Sequence, residues 1–235
     1  MASVDVVIPV LNEEKDLPRS VAVLWDFFNE HLPYQWQIVI ADNGSTDKTL
    51  ALAQALSQQY PRVTYIHLDL RGRGRALRKA WLESKADVVS YMDVDLSTKL
   101  SAFPKLVQAL VDESYGVAIG SRLARGSRVK RGLKREITSR TYNLLIKVMF
   151  CPSFHDAQCG FKAVKRDVVQ EIVPFIKDQA WFFDTELLLL AQKRGYRIKE
   201  VPVEWVDDAG TTVKVAKTAW EDVKGLFRVR FKPPF

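Results

Sequence analysis

Hydrophobic positions along the first half of the chain alternate between short continuous runs and runs with helical spacing. Residues 4–10 form a β-branched run typical of a buried parallel strand. Residues 14–30 repeat apolar side chains every three or four positions, which predicts a helix. Further strand and helix signals follow in turn, with strands at residues 37–41, 63–68, 87–92 and 116–119 and helices at 46–59, 74–84 and 101–113. This alternation predicts the α/β class, with a doubly wound, mostly parallel sheet and helices on both faces.

The second half of the chain is less regular. Residues 122–135 are rich in Lys and Arg, contain no acid and include two glycines, so we expect a mobile basic loop. The pattern then predicts helices at residues 138–150, 184–194 and 213–231 and a strand at 197–205. We therefore predict a catalytic domain over residues 1–212, followed by a basic amphipathic helix over residues 213–235.

Composition narrows the compartment and the partner. The 235 residues carry 35 Lys and Arg against 28 Asp and Glu, a formal net charge of +7, which suits an anionic partner such as nucleic acid, an anionic membrane or a phosphorylated substrate. Two cysteines give no disulfide framework, so we expect a reducing, cytoplasmic location without a secretion signal. Because no apolar run reaches the ~18 residues of a transmembrane helix, we expect peripheral membrane contact at most.

Polar residues follow four successive predicted strands. They are Leu11-Asn12-Glu13-Glu14, the segment from Asp42 to Asp47, Arg71-Gly72-Arg73-Gly74, and Asp93-Val94-Asp95. Each group also suits a local role, because acids favour the first turn of a helix, Thr46 suits a helix cap, and Gly72 and Gly74 suit a turn. Since doubly wound sheets bind ligands at the carboxyl ends of their strands, the four groups together indicate one site.

Asp93 and Asp95 are the sharpest chemical signal. Carboxylates at positions i and i+2 leaving an extended strand can reach one cation, and oxygen ligands suit Mg²⁺ or Mn²⁺ completed by substrate phosphates. The sequence therefore predicts a divalent metal site here.

These motifs together resemble the inverting family-2 glycosyltransferases with a GT-A fold and, within them, the dolichyl-phosphate mannose and glucose synthases. The resemblance begins with Val-Val-Ile-Pro-Val-Leu-Asn-Glu-Glu, Ala-Asp-Asn-Gly-Ser-Thr-Asp-Lys-Thr and Asp-Val-Asp-Leu-Ser. It continues through Gly120-Ser121-Arg122, Arg135 with Ser139, residues 156–162, residues 183–187 and residues 201–205.

The resemblance implies roles for the matching positions. Donor-binding positions would be Pro9, Leu11, Asn12, Glu13, Asp42, Gly72, Gly74, Asp93, Val94 and Asp95, with Asp42 on the nucleotide base. Metal ligands would be Asp93, Asp95 and Ser97. Arg122, Arg135 and Ser139 would hold phosphate, and Asp95, Arg122 and Arg135 would be the catalytic residues.

The implied reaction moves a hexose from a nucleotide-sugar to a polyprenyl or dolichyl phosphate at the cytoplasmic face of a membrane. Trp205, Asp208 and residues 158–162 favour the glucose branch and hence UDP-glucose. The family's Gly-Lys-Gly-Gly reads Gly72-Arg73-Gly74-Arg75 here, and Lys214 stands two residues beyond the position of a family lysine.

Three alternatives remain open at this point. The donor could be GDP-mannose, or the acceptor could be a hydroxyl activated by Asp184 or Glu186 as a base. A non-catalytic module binding an anionic ligand or nucleic acid is the third, but no nucleic-acid motif is present and we expect no such partner.

The predicted helices at residues 138–150 and 213–231 are candidates for membrane contact. Their apolar members are Tyr142, Leu144, Leu145, Ile146, Val148, Met149, Phe150, Trp220, Leu226, Phe227, Val229 and Phe231. Lys and Arg side chains lie among them, which suits an anionic surface.

Overall fold

The computed structural model describes residues 1–130, 132–206 and 215–235, without the side chains of residues 133–135 and 215–217. The strands are β1 (Ser3–Val10), β2 (Gln35–Asp42), β3 (Val63–His67), β4 (Val88–Met92), β5 (Val117–Ser121), β6 (Arg128–Lys130), β7 (Phe161–Lys165), β8 (Ile198–Pro202) and β9 (Glu204–Val206). The α-helices are α1 (Leu17–His31), α2 (Thr49–Gln59), α3 (Arg73–Glu83), α4 (Phe103–Val111), α5 (Leu133–Phe150), α6 (Arg166–Ile172), α7 (Phe183–Lys193) and α8 (Val215–Phe231). Short 3-10 turns at Leu100–Ala102 and Val173–Phe175 adjoin α4 and α6.

The described strands form a seven-stranded sheet in the order β3-β2-β1-β4-β7-β5-β8. β7 runs antiparallel to β4 and β5, while the other neighbouring pairs are parallel. A small second sheet pairs β6 with β9. The chain leaves β1 toward β2 on one side and later returns to place β4 on the other side, so the order of strands reverses beside β1. Such a reversal opens a crevice at the carboxyl ends of the strands.

Apolar side chains fill both faces of the sheet, as the buried runs predict. In β1, Val4, Val6 and Ile8 pack with α1 and α4 on one face, whereas Val7 packs with α3 and α7 on the other. The predicted inward face of α1 is confirmed, because Leu17, Val21, Leu24 and Phe28 are all fully buried. The two cores hold the sheet rigid, so its carboxyl edge presents loops on a fixed base.

Several local predictions were wrong. Residues 122–135 are not simply a loop, since they include β6 and the start of α5. The strand expected at residues 197–205 is two strands, β8 in the large sheet and β9 in the small one. Thr46 does not cap α2, which begins at Thr49, and α1 begins at Leu17 with no acid in its first turn. The proposed domain boundary at residues 212 and 213 and the residues Asp208 and Lys214 lie outside the described part of the chain.

None of the helices in the described segments is long and apolar enough to cross a bilayer.

Candidate active site

The loops after β1 and β2 are joined by hydrogen bonds into one rim of the crevice. The Asn12 N–H donates to Ser45 Oγ (2.9 Å), and the Thr46 N–H donates to Asn12 Oδ1 (2.8 Å). The Glu13 N–H donates to Thr49 Oγ1 (2.8 Å). Asn12 adopts a left-handed backbone with φ 58°, a conformation that asparagine tolerates better than most residues. Asn12 therefore shapes the rim, while Pro9 and Leu11 are half-buried at the adjacent end of β1.

Asp42, the last residue of β2, is fully buried at the floor of this rim. Its Oδ2 lies 2.6 Å from His67 Nδ1 at the end of β3. Its Oδ1 is also buried and has no hydrogen-bond partner among the described residues. A buried acceptor without a donor is costly, so this oxygen is suited to receive an N–H from a ligand.

Gly72 and Gly74 allow the loop after β3 to pack closely against the segment before α7. A Cβ on Gly72 would stand 2.5 Å from Gln179 O, and one on Gly74 would stand 2.7 Å from Phe183 Cβ. The Gly72 N–H also donates to Asn43 Oδ1 (2.6 Å). Close packing thus explains why both positions are glycine. Their predicted contact with the donor stays a prediction.

Asp93, Asp95 and Ser97 line one small depression beyond the end of β4, together with Gly160 and Phe161. Gly160 is needed for this arrangement, because a Cβ there would stand 1.8 Å from Asp93 Oδ2. The Asp95 carboxylate accepts the Ser97 N–H (2.9 Å). The structure therefore brings the three predicted metal ligands together. Between them, the Val94 side chain packs into the core and does not face the crevice.

The donor set fits a hard divalent cation that a ligand completes. Among the described residues, no group of three or more His, Cys, Asp or Glu side chains is arranged to hold a metal alone. Two carboxylates plus substrate phosphates are, however, the usual set for Mg²⁺. Asp93 and Asp95 would hold the cation, and Ser97 stands beside them.

Arg73 is a site residue whose role sequence reasoning missed. Its Nη2 donates to Asp93 Oδ1 and its Nη1 to Asp184 Oδ2, both at 2.6 Å. Its guanidinium also lies near two aromatic rings, 4.7 Å from the Tyr91 centroid and 5.0 Å from the Trp181 centroid. In the sequence, only its position between Gly72 and Gly74 after a strand indicated a role for Arg73. Its ion pair with Asp184 could not be predicted, because the two residues are far apart in the chain.

Asp184 belongs to a buried network of opposite charges. Lys162, which is 0% exposed, places its Nζ 3.2 Å from Asp184 Oδ1 and donates to Cys159 O (2.7 Å). The Tyr91 hydroxyl also donates to Asp184. Burial opposes ionisation of Asp184, but Lys162 and Arg73 prevail and hold its pKa below the usual value. A carboxylate stabilised in this way is a weak base.

The Glu186 carboxylate is also held by hydrogen bonds within the protein. Its Oε2 accepts the Asp178 N–H (2.9 Å) and the Arg228 Nη2 (2.7 Å), and its side chain is almost fully buried. Neither predicted base candidate is thus positioned as a free, basic carboxylate facing an acceptor.

Arg122 is held by Asp156 at the far side of the crevice. Its Nε and Nη2 donate to the two Asp156 oxygens, both at 2.8 Å, and its backbone N–H donates to Asp156 Oδ2 (2.9 Å). Burial disfavours charge on Asp156, yet the Arg122 guanidinium keeps the pKa of that carboxyl below its usual value. Trp205 lies beside the guanidinium, 5.6 Å from the ring centroid. Arg122 is therefore a fixed positive charge near Asp93, and its predicted phosphate contact stays a prediction.

Ser139 lies on α5, and its buried Oγ has no hydrogen-bond partner among the described residues. The side chain of Arg135, one turn earlier, is outside the described part of the chain. The predicted phosphate pair of Arg135 and Ser139 thus remains a prediction, with one unsatisfied hydroxyl in its favour.

Comparison with known proteins finds glycosyltransferases. The family model described as Glycosyl transferase family 2 matches residues 5–173. The chain is 33% identical to glycosyltransferase AglD of Haloferax volcanii, over 95% of this chain and 35% of AglD. It is 28% identical to the dolichyl-phosphate beta-glucosyltransferase of Saccharomyces cerevisiae, over 96% of this chain and 73% of that protein. For the Mus musculus protein of the same name the identity is 30%, over 88% and 68%. The chain thus spans 35% of AglD's length and the larger part of the other two.

Solved structures share the fold. Glucosyl-3-phosphoglycerate synthase from Mycobacterium tuberculosis in complex with UDP matches with a TM-score of 0.71 at 20% identity, over 96% of this chain and 79% of that chain. The same synthase with Mn²⁺, UDP-glucose and phosphoglyceric acid matches with a TM-score of 0.69 at 18% identity, over 96% and 79%. These matches confirm the predicted GT-A architecture.

Proposed function

The chain belongs to glycosyl transferase family 2, and from that premise we propose that it transfers glucose from UDP-glucose to the phosphate of a polyprenyl lipid such as dolichyl phosphate. One observation carries the proposal. A buried oxygen of Asp42 that has no hydrogen-bond partner among the described residues and the Asp93/Asp95 pair lie at the carboxyl ends of β2 and β4, the two strands that flank β1 at the crevice.

Asp42 would bind the base of the donor. Its Oδ1, which has no hydrogen-bond partner in the described part of the chain, is an acceptor, and the ring N–H of uracil is a matching donor. Guanine offers a ring N–H as well, so this contact alone does not select the nucleotide. The names of the relatives, dolichyl-phosphate beta-glucosyltransferase, support glucose rather than mannose as the sugar, and we propose UDP-glucose as the donor.

Asp93 and Asp95 would anchor the diphosphate end of the donor through Mg²⁺ or Mn²⁺, with Ser97 beside them. When bound, such a cation offsets the negative charge that builds on the leaving nucleoside diphosphate. Gly160 leaves room for the Asp93 carboxylate and Arg73 donates to its Oδ1, so the protein holds this group in place before the donor arrives.

The acceptor would be a phosphate rather than a hydroxyl. A phosphomonoester has a second pKa near ~6 and is mostly dianionic at neutral pH, so it attacks without a strong base. A hydroxyl acceptor needs such a base, and Asp184 and Glu186 are instead bound by Arg73, Lys162 and Arg228. We assign the acceptor phosphate to the side of the crevice that holds Arg122, Arg135 and Ser139.

The lipid tail would lie on a surface formed by α5 and α8, which pack against each other. On α5, Ile137, Leu144 and Val148 are exposed, and on α8 the exposed apolar residues are Trp220, Phe227 and Phe231. Both sets repeat at i, i+7 and i+11, which places each set on one helix face. Exposed cations lie among them, namely Arg140, Lys147, Lys224 and Arg230. We call these exposed residues the apolar-basic face.

Part of the sequence prediction for this surface was wrong. Tyr142 and Ile146 of α5 and Leu226 and Val229 of α8 are buried against the core and do not belong to the face. The remaining side chains are arranged as in helices that lie in a membrane interface, where buried apolar area and attraction to anionic lipid act together. We propose that the protein binds peripherally at the cytoplasmic face of a membrane through this surface.

A competition assay tests the donor assignment. The purified protein is given UDP-glucose and GDP-mannose together, with Mn²⁺ and a polyprenyl phosphate in detergent, and the glycolipid is analysed for its sugar. The proposal predicts glucose as the dominant sugar. Dominant mannose would move the protein to the mannose-transferring branch, and sugar transfer only to an added hydroxyl acceptor would overturn the lipid-phosphate assignment.

A further inference from the structure

Arg73 forms an ion pair with Asp93, one of the predicted metal ligands, from the interior of the protein. Its side chain is 9% exposed, and it bridges Asp93 and Asp184 at 2.6 Å on each side. An arginine side chain stays protonated in proteins, so Arg73 is a permanent cation. The Gly74 N–H donates to Ala180 O (3.2 Å), which fixes the start of α3 and the root of this side chain.

The pairing lowers the negative charge available to a metal ion. Asp93 and Asp95 alone would present two negative charges in one depression, whereas the Arg73 guanidinium cancels about one of them at contact distance. Cation affinity rises with the number of uncompensated carboxylates, so Mg²⁺ or Mn²⁺ alone meets a weakened site.

Arg73 can leave Asp93 without stranding another charge. Asp184 keeps Lys162 at 3.2 Å and the Tyr91 hydroxyl as partners if the guanidinium moves. Asp93 itself is 46% exposed, so an incoming group reaches it directly. The cost of releasing Arg73 therefore falls mainly on the Arg73–Asp93 pair, and a polyanionic ligand beside the guanidinium offsets it.

We propose that Arg73 is a built-in counter-ion of Asp93 that keeps the site weak for free divalent cations and strong for a cation that arrives with a nucleoside diphosphate. The inference rests on the proposed metal-dependent donor site. By pairing with Asp93, Arg73 would influence the order in which the cation and the nucleoside diphosphate bind. It is therefore a positioning residue.

Mn²⁺ binding in the absence of nucleotide tests the proposal, with free Mn²⁺ measured by electron paramagnetic resonance. Arg73→Gln removes the charge and keeps a polar side chain. We expect its Mn²⁺ affinity to be about tenfold higher than that of the wild type, on the order of what one nearby unit charge contributes at a partly screened site. With saturating UDP, the difference should shrink to about threefold or less, since the diphosphate then supplies part of the site.

Arg19→Gln is the matched control, because Arg19 is an exposed arginine on α1 and belongs to none of the polar groups of the site. It makes the same change in net charge and should leave nucleotide-free Mn²⁺ affinity near the wild-type value. Arg73→Lys retains a charge and should also stay near wild type. Arg73→Met repeats the test with the apolar stem kept between Tyr91 and Trp181, in case the glutamine variant fails to fold.

The outcomes separate the inference from the function it rests on. Unchanged or weaker nucleotide-free Mn²⁺ binding in a folded Arg73→Gln or Arg73→Met protein would overturn the counter-ion role while leaving the proposed donor site intact. A failure of every protein to bind Mn²⁺, even with UDP, would overturn the metal requirement itself and this inference with it.

Discussion

Charged side chains on the two sides of the crevice differ in how completely they are paired within the protein. On the donor side, Asp42 keeps a buried oxygen without a hydrogen-bond partner among the described residues, and Asp93 pairs with Arg73 but still opens, with Asp95, onto a depression. On the opposite side, charges are paired in advance, as in Arg122–Asp156, Lys162–Asp184 and Arg228–Glu186. The donor side therefore offers carboxylates that a ligand can reach, while the buried ions of the other side are already neutralised by one another.

Activity and stability should therefore depend on different charged residues. Removing the exposed donor-side carboxylate of Asp95 should cost activity with little loss of stability, because this side chain faces solvent and not the core. Removing one member of a paired ion should cost stability, since the other member is left buried and uncompensated.

Asp95→Ala should have the largest effect. Loss of a metal-binding carboxylate leaves the diphosphate charge uncompensated, and we expect kcat/KM for transfer to fall on the order of a thousandfold. The melting temperature should change little, because Asp95 is exposed. Excess EDTA should reproduce the loss. Asp69→Asn, at a side chain that is 98% exposed, is the matched control and should keep full activity. Full activity of Asp95→Ala or of the EDTA-treated protein would contradict the metal site.

Gly160→Ala should come next. The added Cβ would stand 1.8 Å from Asp93 Oδ2, so the Asp93 carboxylate must swing away. A displacement of that size at a catalytic group costs about a hundredfold in rate. The melting temperature of Gly132→Ala, where the added Cβ meets nothing within 4 Å, gives the baseline for adding a methyl group to the backbone. Wild-type transfer by a folded Gly160→Ala protein would show that the position of Asp93 does not matter.

Asp42→Ala should weaken donor binding specifically. Loss of a charged hydrogen-bond acceptor for the base is expected to raise the donor KM about tenfold or more, with a smaller change in kcat. His67→Ala removes the partner of the other Asp42 oxygen and should have a smaller effect. UDP affinity measured by calorimetry checks both variants. An unchanged UDP affinity in Asp42→Ala would exclude this residue from the base pocket.

Phe227→Ser combined with Phe231→Ser should reduce membrane binding. Both rings are exposed on the apolar-basic face, and burying them in a bilayer interface would contribute about 1.5–3 kcal/mol each at most. In flotation with anionic vesicles, we expect a partition weaker by about tenfold or more, and higher salt should weaken the wild type as well. Val23→Ser changes an exposed apolar residue on α1 and should bind like the wild type. Equal flotation of all three proteins would reject the face as the contact.

Asp222 differs from the paired Asp156 and Asp184, because its pKa is raised and not lowered. A substitution of Asp222 should have the smallest effect on activity. Burial, with the nearby charges of Asp178 and Asp184, raises the pKa of Asp222 from its ordinary 3.8 to about 7. The folded state therefore holds this proton more tightly than the unfolded state, and the stability it contributes is present below about pH 4 and lost as pH rises through about 7.

Asp222→Asn should cancel that loss while keeping an acceptor for Gln158. Its advantage in unfolding free energy over the wild type should grow by on the order of 2 kcal/mol between pH 5 and pH 8. Chemical denaturation at the two pH values measures this. A difference that is the same at both would contradict the raised pKa.

Periodicity and motif order predicted the fold well where neighbouring residues determine the structure. The helical spacing of residues 14–30 gave α1, and the continuous run of residues 4–10 gave β1. β7 was not predicted as a strand, because Lys162 interrupts its apolar pattern and its burial depends on Asp184 across the sheet.

The site was predicted in the same uneven way. Asp93, Asp95 and Ser97 are close in the chain, and the structure places them in one depression. The role of Arg73 depends on Asp184, and that of Arg122 on Asp156, both far along the chain. Pairings of this kind follow from the tertiary fold and leave no local pattern in the sequence.

The most direct test of the account is the chemical nature of the product. The protein is incubated with UDP-glucose, Mn²⁺ and polyprenyl phosphate, and the glycolipid is analysed by mass spectrometry and by NMR at its anomeric carbon. The account predicts one glucose joined to the lipid phosphate in the β configuration, since a single displacement inverts the α-linked donor. A lipid product joined through a hydroxyl, an α-linked product, or release of free glucose without glycolipid would contradict it.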